Sequence, residues 1–345
     1  MESQGEAASA ALSFAGTGLS GARMRQHILV TGGAGFIGSH VIRRLLGRGD
    51  RVTVLDDFND FYDPALKRAN AAEFAGRDDW RLVEGDIRDA ALVDRAFAAG
   101  NFDGVIHLAA RAGVRPSLLE PVLYEEVNCI GTLRLLEAAR RYGPANFVFA
   151  SSSSVYGINK KVPFAEDDPV DSPISPYATT KRAGELLCFN YHHLYGLRTS
   201  CLRFFTVYGP AQRPEMAIAK FTDLMARGKT VPLFGTGQTR RDYTYIDDIV
   251  DGVLAALDLA PGFEIFNLGG SQTTTLIDLV HGIAAALEVE AHVELLPEQP
   301  GDVPVTFADV RKAGRMLGYA PQVQIREGLR RVAAWYRGRP ASDRA

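Results

Sequence analysis

The stretch from His27 to Gly38 restricts this chain more than any other. Five residues of strand character, His27-Ile28-Leu29-Val30-Thr31, run directly into Gly32-Gly33-Ala34-Gly35-Phe36-Ile37-Gly38. From Gly33 this reads Gly-x-Gly-x-x-Gly, and from Gly32 it reads Gly-x-x-Gly-x-x-Gly. Missing side chains let a backbone turn tightly and approach a diphosphate. The helix that follows offers unpaired N–H groups and the positive end of its dipole. Glycines also make plain turns, so context carries the weight. Here a strand, a turn, a helix and a second strand lead to an acidic residue, Asp56, about 20 residues on, which is the dinucleotide-binding context.

Asp56 is placed to accept hydrogen bonds from ribose hydroxyls. Its charge, with Asp57 and Asp60 beside it, repels a 2′-phosphate, and no arginine follows at once to receive one. The expected cofactor is therefore NAD rather than NADP. Asp86-Ile87, after the third strand, is placed to bracket the adenine, although Asp86 could equally cap a turn.

The same alternation continues. Apolar runs predict strands over 27–31, 51–55, 80–84, 104–108, 146–150 and 198–203. Helical periods fall over 36–48, near 89–98, over 121–142 and over 176–195. Strands alternating with helices imply an α/β fold with a doubly wound parallel sheet of Rossmann type. With about 150 residues per domain as a guide, 345 residues suggest two domains. Residues 25–205 read as the dinucleotide-binding domain carrying the catalytic residues. After about residue 210 the regularity fades and prolines and glycines become dense (Pro210, Pro214, Pro232, Gly235, Gly237). Residues 206–337 read as a smaller mixed α/β substrate domain, with helices near 217–227, 247–259, 275–288 and 325–336. Residues 1–24 read as a flexible extension and 338–345 as a polar tail.

Composition excludes several classes of function. The 38 basic and 41 acidic residues leave a net charge of −3, and no long basic run appears, so neither nucleic acid nor a membrane surface is an expected partner. No stretch is long and apolar enough to span a membrane, and the N-terminus lacks the pattern of a signal peptide. Cys129, Cys188 and Cys201 have no metal-ligand spacing and sit in apolar patterns. They are expected to be buried free thiols in a reducing cytoplasm, with no metal bound.

Two segments carry candidate chemistry. Ala150-Ser151-Ser152-Ser153-Ser154-Val155-Tyr156-Gly157 leaves a strand at the carboxyl edge of the sheet, where open α/β sheets bind ligands. Tyr177-Ala178-Thr179-Thr180-Lys181 opens a helix, and its end residues share one helical face. For a tyrosine to act as a base near neutrality, its pKa must fall by about three units from about 10, or about 4 kcal/mol. An ammonium about 4–5 Å away supplies roughly that at an effective dielectric near 20. Tyr177 with Lys181 is therefore a candidate general base with its activator. Tyr-x-x-x-Lys alone is common on helix surfaces; the serine-rich strand end and the glycine turn give it meaning.

With these residues the chain resembles the extended short-chain dehydrogenases, which include nucleotide-sugar epimerases, decarboxylases and dehydratases. The resemblance runs from about 26 to 337. It implies that Ser152 or Ser154 hydrogen-bonds the sugar 4-hydroxyl, that Tyr177 takes its proton, and that Lys181 binds the nicotinamide ribose. It adds Asn59, Leu108, Ala109 and Ala110 to the cofactor contacts. It also implies a homodimer formed by the helices at 121–142 and 176–195.

Within that group, three stretches resemble the UDP-glucuronate 4-epimerases: Asp56-Asp57-Phe58-Asn59-Asp60-Phe61-Tyr62-Asp63-Pro64, the segment His107 to Arg115, and Arg203 to Pro210 continuing into Arg213-Pro214-Glu215-Met216-Ala217. Related decarboxylases and 4,6-dehydratases have Glu just before Val-Tyr-Gly, and dehydratases add Asp before it. Here those positions are Ser154 and Ser153, whose hydroxyls serve an elimination poorly. The resemblance makes Arg213 the candidate clamp for a sugar carboxylate, with Thr206 and Ser117 nearby. A guanidinium fork fixes orientation better than an ammonium. A solvated loop arginine or a diphosphate ligand are the other readings of Arg213. Pro232 and Phe234 are expected against the uracil, Arg241 on the diphosphate and Asp302 on the uridine ribose. A UDP-glucose 4-epimerase, a UDP-glucuronate decarboxylase or a non-catalytic NAD-binding regulator remain as alternatives, since fold alone does not fix function.

Overall fold

The computed structural model describes residues 24–297 and 303–339. Six strands lie where the apolar runs predict them: β1 (His27–Thr31), β2 (Arg51–Asp56), β3 (Trp80–Glu84), β4 (Gly104–His107), β5 (Asn146–Ser152) and β6 (Thr199–Phe204). Later strands are short, namely β7 (Thr206–Tyr208), β8 (Val231–Phe234), β9 (Arg240–Arg241) and β10 (Tyr243–Tyr245), until β11 (Phe263–Leu268). The main sheet has seven parallel strands in the order β11-β6-β5-β4-β1-β2-β3. Strand order reverses between β1 and β4, and this switch opens a crevice at the carboxyl edge.

The central strands are continuously apolar because helices cover both faces. Alternate residues divide between two cores. Ile28, Val30, Val52, Val54, Ile106 and Val148 enter one, while Leu29, Leu55, Val105, Phe147 and Phe149 enter the other.

The chain crosses back into this sheet after residue 205. Strand β11 pairs with β6 along its whole length, from Phe263↔Thr199 to Leu268↔Phe204. Helix Ile246–Leu259 lies on the same sheet, and Asn146 Nδ2 donates to its Ala256 and Leu257 carbonyls at 2.8 and 3.0 Å. The expected split at 205/206 was drawn where the sequence pattern fades, and that pattern gives no sign of this return.

The helix expected over 121–142 is not uniform. Pro121–Tyr124 and Thr132–Tyr142 are α-helical, but Glu125–Gly131 between them is π-helical. Two side chains account for the widening. Thr132 Oγ1 donates to the Asn128 carbonyl at 2.5 Å, a back-bond that perturbs helices. The Asn128 amide, meanwhile, holds the Arg111 backbone on both sides, accepting from its N–H at 2.8 Å and donating to its carbonyl at 2.9 Å. Such bulges gather at functional sites. Helices Pro64–Ala72, Val114–Leu119 and Arg311–Leu317 were not expected. The first begins with Pro64 behind the N-cap Asp63, whose side chain accepts from Ala65 N; proline there starts a helix rather than breaking one.

Candidate active site

A cavity of about 350 Å³ lies at the carboxyl edge of the sheet, over the switch point. The glycine turn forms its floor. Gly32 has φ +70°, and a Cβ there would lie 2.6 Å from Ala109 N. A Cβ on Gly38 would lie 2.3 Å from the Gly32 carbonyl oxygen. Gly35 N-caps helix Phe36–Gly47 with no side chain over the helix end and no acidic residue in the first turn. That leaves the first-turn N–H groups of a 12-residue helix facing the cavity, a fit for a diphosphate.

Asp56 joins this turn to the end of β2. Its Oδ2 accepts from Ala34 N and its Oδ1 from Phe58 N, both at 3.0 Å. A carboxylate offers about four acceptor sites, so ribose hydroxyls can still be received. Burial outweighs these two bonds and holds the carboxyl above its ordinary range. Asp57 accepts from the backbone N–H and the side-chain amide of Asn59 at 3.1 and 2.6 Å, and Lys67 Nζ donates to Asn59. Asp86 is buried enough to raise its carboxyl, yet hydrogen bonds from Arg88 at 2.7 and 2.9 Å prevail and hold it low. Asp86 is thus both an ion-pair partner and part of the wall.

The opposite wall, Leu108 to Ala110, hangs on a buried polar chain. Thr132 gives its proton to Asn128, so it receives one from His107 Nε2 at 2.9 Å, and His107 Nδ1 accepts from Thr31 Oγ1 at 2.7 Å. This assigns the tautomer. Burial pushes the imidazole down to about 3, so it stays neutral. Thr31 Oγ1 then receives Ala109 N–H at 3.3 Å. Every residue that the sequence offered for the cofactor lines this one cavity: Gly32, Gly35, Phe36, Ile37, Gly38, Asp56, Asp57, Asn59, Asp86, Ile87, Leu108, Ala109, Ala110, Tyr177 and Lys181.

Ser152 ends β5 and caps the turn after it, accepting from Ser154 N at 3.2 Å, and its hydroxyl bonds the Ser154 hydroxyl at 3.2 Å. Helix Pro176–Tyr195 starts opposite, with Ser175 as N-cap and Pro176 in its first turn, and brings Tyr177 and Lys181 to the cavity. Lys181 Nζ donates to the Ala150 carbonyl at 2.7 Å and lies 5.9 Å from the Tyr177 ring centre. Burial pushes its ammonium down to about 8. Burial also holds the Tyr177 phenol above its ordinary range, against the opposing pull of the Ser152 hydroxyl and Arg213. The ammonium is thus bonded to Ala150, and among the chain's own groups desolvation dominates at the tyrosine.

Thr206, Arg213 and Met216 line the same cavity, with Arg213 near enough to Tyr177 to act on its phenol. Arg213 lies 3.3 Å from Glu215 Oε1 and 3.3 Å from Met216 Sδ, and it stacks over Phe61 at 5.5 Å. Arg111 approaches the same ring at 5.8 Å. Ser117 is fully buried, and its hydroxyl donates to the Val114 carbonyl at 2.6 Å rather than entering the cavity. Pro232 and Phe234 sit on β8, with Arg115 over Phe234 at 5.3 Å, and Arg241 donates to the Arg240 carbonyl at 2.9 Å; none of the three lines this cavity. Asp302 lies outside the described residues. Phe61, Tyr62 and Lys67 line the cavity unforeseen. Phe61 and Tyr62 belong to the Asp56–Pro64 segment that carries the family resemblance, whereas Lys67, three residues beyond it, has no such signal. Among the described residues no cluster of His, Cys, Asp or Glu could hold a metal.

Residues 28–269 match the model of the NAD dependent epimerase/dehydratase family. The chain belongs to that family. Among relatives of this epimerase/dehydratase member, UDP-glucuronate 4-epimerase 4 of Arabidopsis thaliana is 45% identical over 327 residues, covering 90% of this chain and 75% of the relative. The UDP-glucuronate 4-epimerase of Thermodesulfobacterium geofontis is 43% identical, covering 90% and 95%. The crystal structure of the UDP-glucuronic acid 4-epimerase of Bacillus cereus, in complex with UDP-glucuronic acid and NAD, superposes with a TM-score of 0.85 at 35% identity, over 90% of this chain and 98% of that one.

Proposed function

We infer that this family member interconverts UDP-glucuronate and UDP-galacturonate by NAD-dependent epimerisation at C4. The observation that carries the reading is one cavity lined by the Ser152/Tyr177/Lys181 set and by Arg213, in a chain 45% identical to a UDP-glucuronate 4-epimerase. NAD, when bound, would supply the hydride acceptor. The chain's own residues do the rest. Ser152 and Ser154 orient the 4-hydroxyl, and Tyr177 Oη takes its proton as the C4 hydride departs. Lys181, anchored on Ala150, holds the nicotinamide ribose. The 4-keto sugar turns over, and the proton and hydride return to its other face.

A 4-keto uronate is a β-keto acid and can lose CO2. Arg213, with Thr206, holds the carboxylate so that the breaking bond overlaps poorly with the carbonyl. Ser153 and Ser154 add no anion to repel it. Phe234, Pro232, Arg241 and Asp302 are proposed for the UDP moiety. The test is chromatography of the products after incubation with UDP-glucuronate. UDP-galacturonate as the product supports the reading, and only UDP-pentose would replace it with a decarboxylase.

Homodimerisation is part of the proposal. Leu119 (84% exposed), Val122 (69%) and Ile130 (45%) lie exposed on and before the 121–142 helix, and Leu186 and Phe189 on the 176–195 helix. Light scattering that finds a monomer at micromolar concentration would contradict it. A cytoplasmic setting is consistent with three free cysteines, and no described helix is long and apolar enough to cross a membrane.

A further inference from the structure

Behind the serines lies a buried ion pair that the chemistry does not use. Arg203 and Glu185 are 1% and 0% exposed and 2.8 Å apart. The Glu185 carboxylate accepts four hydrogen bonds: Ser151 Oγ at 2.6 Å, Arg203 Nε and Nη2 at 2.8 and 3.0 Å, and Arg182 Nη1 at 3.0 Å. Arg203 Nη1 donates to the Tyr156 hydroxyl at 3.0 Å, and that hydroxyl donates to Asn267 Oδ1 at 2.7 Å.

Register puts these groups in one row. Ser151 of β5 pairs with Arg203 of β6, and Arg203 with Asn267 of β11. The next residue of β5 is Ser152, and consecutive strand residues face opposite sides of a sheet. Ser151 and Tyr156 therefore bracket the segment that carries Ser152 and Ser154. Glu185 sits one helical turn beyond Lys181, on the helix that carries Tyr177. The same pair thus grips the serine segment at both ends and the tyrosine helix in its first half.

We propose that the Arg203–Glu185 pair is a positioning device that fixes the serine segment against the Tyr177/Lys181 helix, with Ser151 and Tyr156 as its two points of attachment. Fold stability does not call for such a pair, because apolar residues of similar volume often replace buried ion pairs at no loss. Reaction geometry does call for one, because misplacement by about 1 Å can lower turnover on the order of a hundredfold. Arg203, Glu185 and Tyr156 do not line the cavity, and Ser151 lines it but turns its hydroxyl to Glu185. The inference rests on Ser152, Tyr177 and Lys181 being the catalytic set, and is independent of which UDP-sugar reacts.

The experiment is steady-state kinetics on Ser151→Ala, Tyr156→Phe and the double variant Glu185→Leu/Arg203→Met, with UDP-glucuronate as the probe, Tyr177→Phe alongside, and melting temperature and bound NAD measured for each. Neither single variant leaves a charge unpaired. Each is expected to lower kcat roughly tenfold, with KM and NAD content within about twofold, and the double variant to lower kcat on the order of a hundredfold. Single variants with native kcat overturn the proposal, whether or not the double variant folds. So does a loss of kcat that merely tracks lost NAD or lost folded protein. If Tyr177→Phe retains turnover, the catalytic set itself is misassigned and the positioning role falls with it. If only the single variants retain turnover, the positioning role falls alone.

Discussion

The Lys181 ammonium donates to the main-chain carbonyl of Ala150, 2.7 Å away, two residues before Ser152. A buried cation thus ties the helix that carries Tyr177 to the strand that ends in Ser152. Burial lowers its pKa from 10.5 to about 8, so between those values the unfolded chain holds a proton that the folded one does not. Stability contributed by this group therefore rises with pH from about 8 to 10.5, and the burden is full below 8. Lys181→Met should gain on the wild type most at pH 7. Its advantage should shrink as pH rises, by up to about 3 kcal/mol. Melting curves of both proteins from pH 7 to 10 measure this; a pH-independent difference would show that the lysine is not so depressed. The variant should be inactive throughout.

Tyr177→Phe should retain NAD and substrate and lower turnover by roughly 10²–10⁴, the scale of lost general-base catalysis. The phenol is buried, which raises its pKa, while the Ser152 hydroxyl and Arg213 pull the other way. Near wild-type rates in the variant would remove Tyr177 from the mechanism.

Arg213→Ala should raise KM for UDP-glucuronate by an amount equivalent to about 2–5 kcal/mol, the scale of a truncated buried charge pair, and far less for UDP-glucose if that sugar reacts. Some UDP-pentose should appear, because the freed carboxylate can align for CO2 loss. One chromatographic time course separates hexuronates from pentoses. Unchanged uronate affinity with no pentose would move the clamp to Arg111, which shares the Phe61 ring with Arg213.

Gly38→Ala should lose NAD. Its Cβ would meet Gly32 O at 2.3 Å and Gly33 Cα at 2.6 Å, backbone that cannot step aside. Overpacking of this kind costs about 1–3 kcal/mol, borne by the turn that faces the diphosphate. Gly47→Ala, at the far end of the same helix, is the control, since nothing lies within 4 Å of its Cβ. Mass spectrometry of cofactor released on denaturation reads both; equal NAD in the two variants would count against the cradle.

The NAD end of the site was legible because its determinants are local. Glycines, a strand end and an acidic residue sit within one β-α-β unit, so spacing along the chain reports spacing in the fold. Ser152, Tyr177 and Lys181 were legible through the four-residue spacing on one helical face together with the serine-rich strand end before it. What escaped depends on contacts between distant segments. Ser117 looked available, but the backbone of its own short helix takes the hydroxyl. Asn128 reads as an ordinary helix residue until Arg111 is seen on both sides of its amide. Arg203 and Glu185 stand 18 residues apart and belong to different motifs. The strength of burial at Tyr177 could not be read from its spacing to Lys181.

Strand β11 has a consequence for how the protein is made. The ribosome releases β6 well before β11, and until Phe263–Leu268 emerge the outer edge of β6 presents unpaired N–H and C=O groups. The Tyr156 hydroxyl also waits, because Asn267, to whose Oδ1 it donates, arrives with the same late strand. Stalled or proteolysed products that end before Phe263 therefore carry an open, sticky edge beside the strand that ends in Ser152. Such fragments are expected to associate with one another or with chaperones rather than persist as free nucleotide-binding domains.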